Sequence, residues 1–244
     1  MVTDQADTLR RVPLSRDRVL RAAVALADGT GIESLSMRNL AQELGVVPMA
    51  LYKHVANKEE LLDGMVDVVV GEIGPPVLGT DWKSAVRQRI LSARQALLGH
   101  PWASRVIESR TTPTPVMLTY LDSLIGMFRT GGLSADLTHH VMHAMGSRVL
   151  GFTQEMFDDS PSGDPSQSVD PDVQAAMFRE MATKYPYVTE MAMAAAHEDE
   201  SIVGQGCDDQ FEFEFALDLL LDGFERLQQQ GWTSADQSRG DGGA

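Results

Sequence analysis

Several histidines cluster in one predicted helix and could bind a metal ion or an acidic ligand group. His139 and His143 are four residues apart, so a helix places both imidazoles on one face, and His140 and Glu155 lie on the same predicted helix. Two imidazoles do not complete a metal site. The simpler interpretation is that these histidines are exposed to solvent or have their hydrogen bonds satisfied within the protein. No HExxH, GxSxG or glycine-rich phosphate motif accompanies them, and no paired carboxylates have an evident partner. We therefore expect a protein that is not an enzyme.

A second group of polar side chains lies between residues 36 and 54. It includes arginine, lysine, tyrosine and histidine, which can donate hydrogen bonds to phosphates or to base edges. Leu40, Ala41 and Leu44 share one helix face, and Gly45 permits the positive φ of a sharp turn into a second short helix. This pattern is typical of a helix-turn-helix whose second helix enters a major groove. An ordinary three-helix packing unit is the alternative.

Three segments resemble the DNA-binding domain of the TetR family of repressors. They are LSMRNLAQELGV at residues 35–46, LYKHV at 51–55 and NKEELL at 57–62. The resemblance implies that Arg38, Tyr52, His54 and Lys58 contact phosphates or groove edges and that Pro48, Met49 and Lys53 face the bases. We predict that the neighbouring residues Ser36, Met37 and Val47 also bind DNA. Val47 departs from the family pattern, because many relatives carry a polar residue there that caps the recognition helix.

Helix-forming patterns fill most of the chain, and no alternating β-branched run is bounded by turn residues. We predict an all-α fold with a three-helix DNA-binding domain at residues 1–60, a larger helical ligand-binding and dimerisation domain at 61–233 and a disordered tail at 234–244. Helices are predicted at 15–28, 36–44, 48–55, 58–73, 82–98, 102–108, 115–129, 134–157, 172–197 and 211–230. Pro186 should interrupt the ninth of these.

The charge is distributed unevenly. Residues 1–60 hold eight basic and eight acidic residues, whereas residues 61–244 hold twelve basic and twenty-seven acidic ones, which accounts for the net charge of −15. An acidic body should repel DNA everywhere except where basic side chains are aimed at it. The single cysteine, Cys207, cannot pair within the chain, and the sequence has neither a secretion signal nor an apolar run that could span a membrane, so we expect a cytoplasmic protein.

The last predicted helix is apolar on more than one side, which is more than one core-facing stripe requires. It resembles the last helix of the tetracycline-repressor branch of the family. The resemblance implies a homodimer in which one helix, starting at Ser134 and ending at Phe157, packs with another that starts at Phe211 and ends at Gln230. An intrachain core helix is the alternative. Two-fold symmetry would place paired recognition helices roughly 34–36 Å apart, as a palindromic operator requires.

Thirteen methionines and few aromatic residues indicate a pliable apolar cavity in the body, although plain core packing explains any one of them. The predicted ligand-binding residues are Trp102, Arg110, Met117, His139, Met142, His143, Arg148, Phe152, Glu155 and Met177. The residues that the tetracycline repressor places around its drug and magnesium are not recognisable here. We therefore expect no cofactor and no metal, and a different inducer that is hydrophobic or amphipathic.

Together these patterns predict a transcriptional repressor that binds operator double-stranded DNA as a homodimer and is released by a small-molecule inducer. The alternative is a TetR-like regulator that answers to a protein partner or to no small molecule.

Overall fold

The computed structural model describes residues 13–77, 79–151, 171–195 and 209–235, and the structural statements below concern these residues. Their regular structure is helical without any strand, which confirms the predicted all-α fold. The helices are α1 (Arg16–Thr30), α2 (Met37–Glu43), α3 (Pro48–Leu51), α4 (Lys58–Gly71), α5 (Trp82–Gly99), α6 (Ala103–Ser109), α7 (Pro115–Thr130), α8 (Ala135–Gly151), α9 (Pro171–Lys184), α10 (Pro186–Ala195) and α11 (Asp209–Gln229), with a 3₁₀ turn at Ile32–Ser34. None of these described helices is long and apolar enough to cross a membrane.

Side-chain caps start the N-terminal helices where the sequence places them. Ser15 accepts a hydrogen bond from the Arg18 N–H at the start of α1, and Ser36 accepts one from the Asn39 N–H at the start of α2. Asn57 caps α4 in the same way through the Glu60 N–H. Each cap satisfies a backbone donor that has no partner within its helix, so these boundaries follow from local sequence.

The end of the third helix differs from the predicted one, whereas the predicted interruption at Pro186 is confirmed. The third helix was expected to reach Val55, but α3 ends at Leu51, and the Leu51 carbonyl closes the following turn by accepting from the N–H groups of His54 and Val55. The helix predicted at 172–197 is interrupted at Pro186 as expected, because α9 ends at Lys184 and α10 begins at Pro186. Ser234, where the predicted tail begins, hydrogen-bonds to the Asp136 carboxylate through its N–H and its hydroxyl. The rest of that tail, 236–244, lies outside the described residues.

The described chain forms two compact units, one from residues 13–77, 79–151 and 220–235 and the other from residues 171–195 and 209–219. In the first unit a continuous core runs from α1 through α4 to α6, with Val19, Leu40, Leu51, Met65 and Ala103 each almost completely buried. The predicted DNA-binding domain and the start of the predicted ligand-binding and dimerisation domain therefore share one core. The domain boundary after residue 60 stays a prediction.

Within the second unit, α9 and α10 carry many exposed apolar side chains. Met177, Tyr187 and Met193 are each more than half exposed. Single exposed apolar residues are common on protein surfaces, but this density in two short helices is not.

Candidate nucleic-acid interface and ligand cavity

The turn between α2 and α3 has the geometry of a helix-turn-helix. Gly45 has φ +64°, in the left-handed region that costs a residue with a Cβ, and the Val46 N–H donates to the Ala41 carbonyl across the turn. Buried Leu40 and Leu51 hold the two helices together. The turn and this small contact fix how α3 projects from the surface.

The outer face of α3 and its following turn is exposed and partly apolar. Val47 and Met49 are 68% and 71% exposed, Tyr52, Pro48 and Lys53 are also exposed, and His54 is half-buried. Val47 supplies no side-chain cap to α3, as its residue type predicts. The N-terminal N–H groups of α3 are therefore left without a protein side chain, and apolar side chains beside them could contact thymine methyl groups.

Arg38, Lys53 and Lys58 are exposed cations without an acidic partner among the described residues. Other cations nearby are neutralised: Arg21 lies 3.0 Å from Asp17, and Arg105 lies 2.7 Å from Glu33. Lys58 also sits in the first turn of α4, where a positive charge opposes the helix dipole. These three side chains are thus free to contact phosphates. Ser36 and Met37, also predicted to bind DNA, are half-buried at the start of α2 beside Arg38.

Helix α4 connects this surface to the interior of the body. Arg110, after α6, places Nη1 2.5 Å from Glu59 Oε2 and 3.3 Å from Asp63 Oδ1, and Thr114 hydrogen-bonds to Asp67. The three acidic residues recur every four positions, so they form one row on α4. The carboxylates hold the pKa of Arg110 above its ordinary value, with Glu59 contributing most. The row ties α4 to the segment between α6 and α7.

A second polar junction joins α1, α4 and the α5–α6 connection. His100 places Nδ1 2.9 Å from Asp28 Oδ1 and Nε2 3.0 Å from Glu72 Oε2, and Trp102 Nε1 donates to Asp28 Oδ1 at 2.7 Å. Burial alone would lower the pKa of His100, but the hydrogen bonds to both carboxylates outweigh it, so the pKa lies above 6.5. A protonated His100 can donate to both acids at once and so bridges the two helices.

The body contains a partly open apolar cavity of about 130 Å³ between α4 and α8. Its walls come from the end of α4 (Val69, Val70, Ile73), from α5 (Ile90, Ala93, Ala96, Leu97), from α6 (Ile107), from α7 (Met117, Tyr120, Leu121, Leu124) and from α8 (Met142, Met145, Gly146, Val149, Leu150). Among the described residues that line it, Tyr120 alone has a polar side-chain group. A cavity of this size and chemistry matches one apolar ring rather than a drug-sized ligand.

An open groove of about 480 Å³ lies beside the cavity, between α7 and α8. Arg129, His139 and His143 line it together with apolar side chains, and Leu121 and Met142 line both spaces. The His139 and His143 rings lie 4.7 Å apart edge to face. Among the described residues no group of three or more potential metal ligands occurs.

The predicted ligand-binding residues are therefore dispersed. Met117 and Met142 line the cavity, whereas His139 and His143 line the groove. Three others are placed as follows: Trp102 is bound to Asp28, Arg110 to the acidic row of α4, and Arg148 is half-buried on α8 outside the cavity wall. Met177 is 65% exposed on α9, and Phe152 and Glu155 lie outside the described residues.

Sequence reasoning missed Tyr120 as a cavity residue. Met117, Tyr120, Leu121 and Leu124 follow the i, i+3, i+4, i+7 spacing of one helix face, which marks them as inward-facing. That spacing cannot distinguish a cavity wall from a filled core.

The fold and this exposed helix-turn-helix define the chain as a DNA-binding regulator, and comparisons with known proteins place it in a family. The family model "Bacterial regulatory proteins, tetR family" matches residues 19–65, and "Tetracyclin repressor-like, C-terminal domain" matches residues 75–228. The chain belongs to the TetR family of transcriptional regulators.

Individual relatives agree with this assignment. The HTH-type transcriptional repressor DrrR1 of Streptomyces coeruleorubidus is 30% identical over 89% of this chain and 79% of its own length. An HTH-type transcriptional regulator of Saccharopolyspora erythraea is 38% identical, over 42% of this chain and 44% of that protein.

A relative of known structure is similar to this chain over nearly its whole length. ActR from Streptomyces coelicolor, in its apo crystal structure, is 26% identical with a TM-score of 0.66, covering 91% of this chain and 99% of that chain. Its complex with (S)-DNPA is also 26% identical, with a TM-score of 0.61 over 87% and 98%.

Proposed function

We propose that this protein is a cytoplasmic transcriptional repressor that binds a palindromic operator as a homodimer and leaves it when a small hydrophobic or amphipathic inducer enters the body. The observation that carries this proposal is the course of α4. The helix begins beside the helix-turn-helix with Lys58, which has no acidic partner among the described residues. Its last turn places Val69 and Val70 in the cavity wall. At 1.5 Å per residue its length is about 20 Å, so one rigid element links the two sites.

Operator binding rests on the exposed face of the helix-turn-helix. Arg38 and Lys58 have no acidic partners among the described residues and would contact phosphates, which provide affinity without sequence preference. Met49 and Lys53 project from α3 and its turn, where they would read base edges. Curated relatives named as transcriptional repressors and regulators support this role.

Homodimerisation would use α8 and α11. Along α11, Phe211, Phe215 and Leu219 recur every four residues and are each more than half exposed, with the two phenylalanine rings stacked 6.4 Å apart. Such an apolar stripe on one helix is stabilised when a second protein surface covers it. A second copy of the same helix would do so with two-fold symmetry.

Inducer binding would move the helices that line the cavity, because the cavity is small. About 130 Å³ holds one apolar ring, so a larger inducer must separate the walls, and α4 is one of them. A ligand that prefers the expanded cavity shifts the population towards a different α4 position and thereby a different spacing of the two recognition helices. The complex of ActR with (S)-DNPA supports a small molecule as the effector class.

The test is a binding selection from randomised duplexes at stated salt with the wild type, Arg38→Ala and Lys53→Ala. We expect a palindrome, a change of base preference for Lys53→Ala and a uniform loss of affinity for Arg38→Ala. Arg105→Ala is the matched control, because it removes an equal charge from an exposed side chain already neutralised by Glu33. A folded dimer that enriches no duplex at any salt would refute the operator proposal.

A further inference from the structure

Arg89 is a buried cation without a counter-ion among the described residues. It lies on α5 and is only 9% exposed, and no described group accepts a hydrogen bond from its buried Nε. Its described interactions are a 3.4 Å hydrogen bond from Nη1 to the Ile73 carbonyl and the face of the Tyr120 ring, 4.9 Å from the guanidinium carbon. Burial lowers the pKa of Arg89, and no carboxylate of the described residues offsets that effect.

Two other sheltered cations of the first unit have carboxylate partners. Lys83 contacts both Asp222 and Glu225, and Arg110 contacts both Glu59 and Asp63. Burying a charge is unfavourable unless it is paired, and a ring face with one long hydrogen bond replaces little of the lost hydration. An apolar side chain of similar length would fill this position at lower cost, so packing alone does not explain an arginine there.

The position of Arg89 relates it to the cavity. Ile73 and Tyr120, its two contacts, both line the cavity, so the guanidinium lies directly behind the wall at that end. The Tyr120 hydroxyl has no hydrogen-bond partner among the described residues, and burial raises the pKa of Tyr120, which keeps the hydroxyl protonated as a donor. Tyr120, in the cavity wall, and Arg89, in contact with it from behind that wall, thus each carry a donor without a partner among the described residues.

We propose that the inducer is an anionic amphipath: an apolar ring that fills the cavity and a carboxylate, or a similarly charged oxygen, that binds at the Arg89–Tyr120 end. The anion accepts from the Tyr120 hydroxyl and from Arg89 as the Tyr120 ring turns aside. This inference rests on the proposed function, because it assumes that the cavity is the inducer site.

The same contacts give the anion a route to α4. Nη1 of Arg89 holds the carbonyl of Ile73, two residues beyond the end of α4. A carboxylate is a stronger acceptor than a backbone carbonyl, so an anion that attracts the guanidinium weakens this tie. The charged group of the ligand would then release the end of the helix whose other end carries Lys58.

The experiment compares matched acids and amides as probes. Binding of benzoate and benzamide, and of 1-naphthoate and 1-naphthamide, is measured by calorimetry on the full chain, with operator binding measured in parallel. We expect each acid to bind at least tenfold more tightly than its amide in the wild type and Arg89→Met to abolish that preference. Arg89→Lys keeps the charge and should keep part of the preference, and it provides the second variant if Arg89→Met does not fold. Arg105→Met, which removes an exposed and already paired charge, should behave like the wild type.

The outcomes separate the two proposals. An amide that binds as well as its acid, or a preference for the acid that persists in Arg89→Met, overturns the anionic inducer while leaving a ligand-responsive repressor intact. A protein that binds operator but neither probe of a pair overturns the inference together with the cavity as the inducer site. Failure to bind any operator contradicts the proposed function instead.

Discussion

Replacing Gly45 by alanine should destabilise the protein through backbone geometry alone. Gly45 has φ +64°, and a Cβ built there meets no atom within 4 Å, so no steric contact contributes. The left-handed conformation costs a residue with a Cβ about 1–2 kcal/mol, and the reduced entropy of the unfolded chain returns about 0.4–1 kcal/mol. We therefore expect a net loss of about 1 kcal/mol in the free energy of unfolding.

Gly29→Ala is the matched control. Gly29 lies inside α1, and a Cβ there also meets no atom within 4 Å, but its backbone is helical with negative φ. Alanine at this position should stabilise the protein by up to about 1 kcal/mol, because glycine is the poorer helix former. The same chemical change thus has opposite signs at the two sites, which differ by about 2 kcal/mol.

The assay is urea unfolding followed by far-UV circular dichroism at one fixed protein concentration, because the stability of the proposed dimer would depend on concentration. Gly45→Asn should lie between the wild type and Gly45→Ala, since asparagine tolerates the left-handed region better than alanine. Equal stability of Gly45→Ala and Gly29→Ala would show that the turn does not require the conformation described for Gly45 and would refute the reasoning.

Three further predictions concern the junction, a cap and the cavity. Because the pKa of His100 is raised, its bridge to Asp28 and Glu72 contributes fully to stability below pH 6.5, and this contribution is lost as pH rises through the higher folded-state value. Urea midpoints at about pH 6 and about pH 9 should therefore differ more for the wild type than for His100→Gln. Equal differences for the two proteins would contradict the bridge. Ser36→Ala removes the cap of α2 and should cost about 1 kcal/mol in the same assay, whereas an unchanged midpoint would mean that water replaces the hydroxyl. Ala93→Leu adds volume to a buried wall residue of the cavity and should prevent ring-sized ligands from binding while operator affinity is kept; undiminished ligand binding by calorimetry would place the ligand elsewhere.

The helix-turn-helix is the part of the structure that the sequence predicts best. Its signals are the caps Ser36 and Asn57, the glycine at 45 and the apolar spacing of Leu40 and Leu51, all within a few residues of the structure that they specify. The end of α3 is the exception, because competing turn and helix hydrogen bonds from Leu51 decide it.

The surroundings of the predicted ligand-binding residues are predicted less well, because long-range pairing determines them. Tryptophan and arginine are common in ligand sites, which is why Trp102 and Arg110 were predicted there. Instead, Trp102 donates a hydrogen bond to Asp28, 74 residues away, and Arg110 donates one to Glu59, 51 residues away. Nothing local to either residue indicates these partners. Helical spacing identifies Met117 and Met142 as inward-facing, but it does not reveal that the space between them is empty.

By itself the sequence determined the helices, their caps, the turn and the family, because each depends on residues within one or two helical turns of each other. The packing of five helices decided where a cavity opens, and it decided that Arg89 is buried behind the wall without a carboxylate. The physical reason is that burial and charge pairing depend on the distances between elements far apart in the chain, and those distances are set only when the whole core assembles.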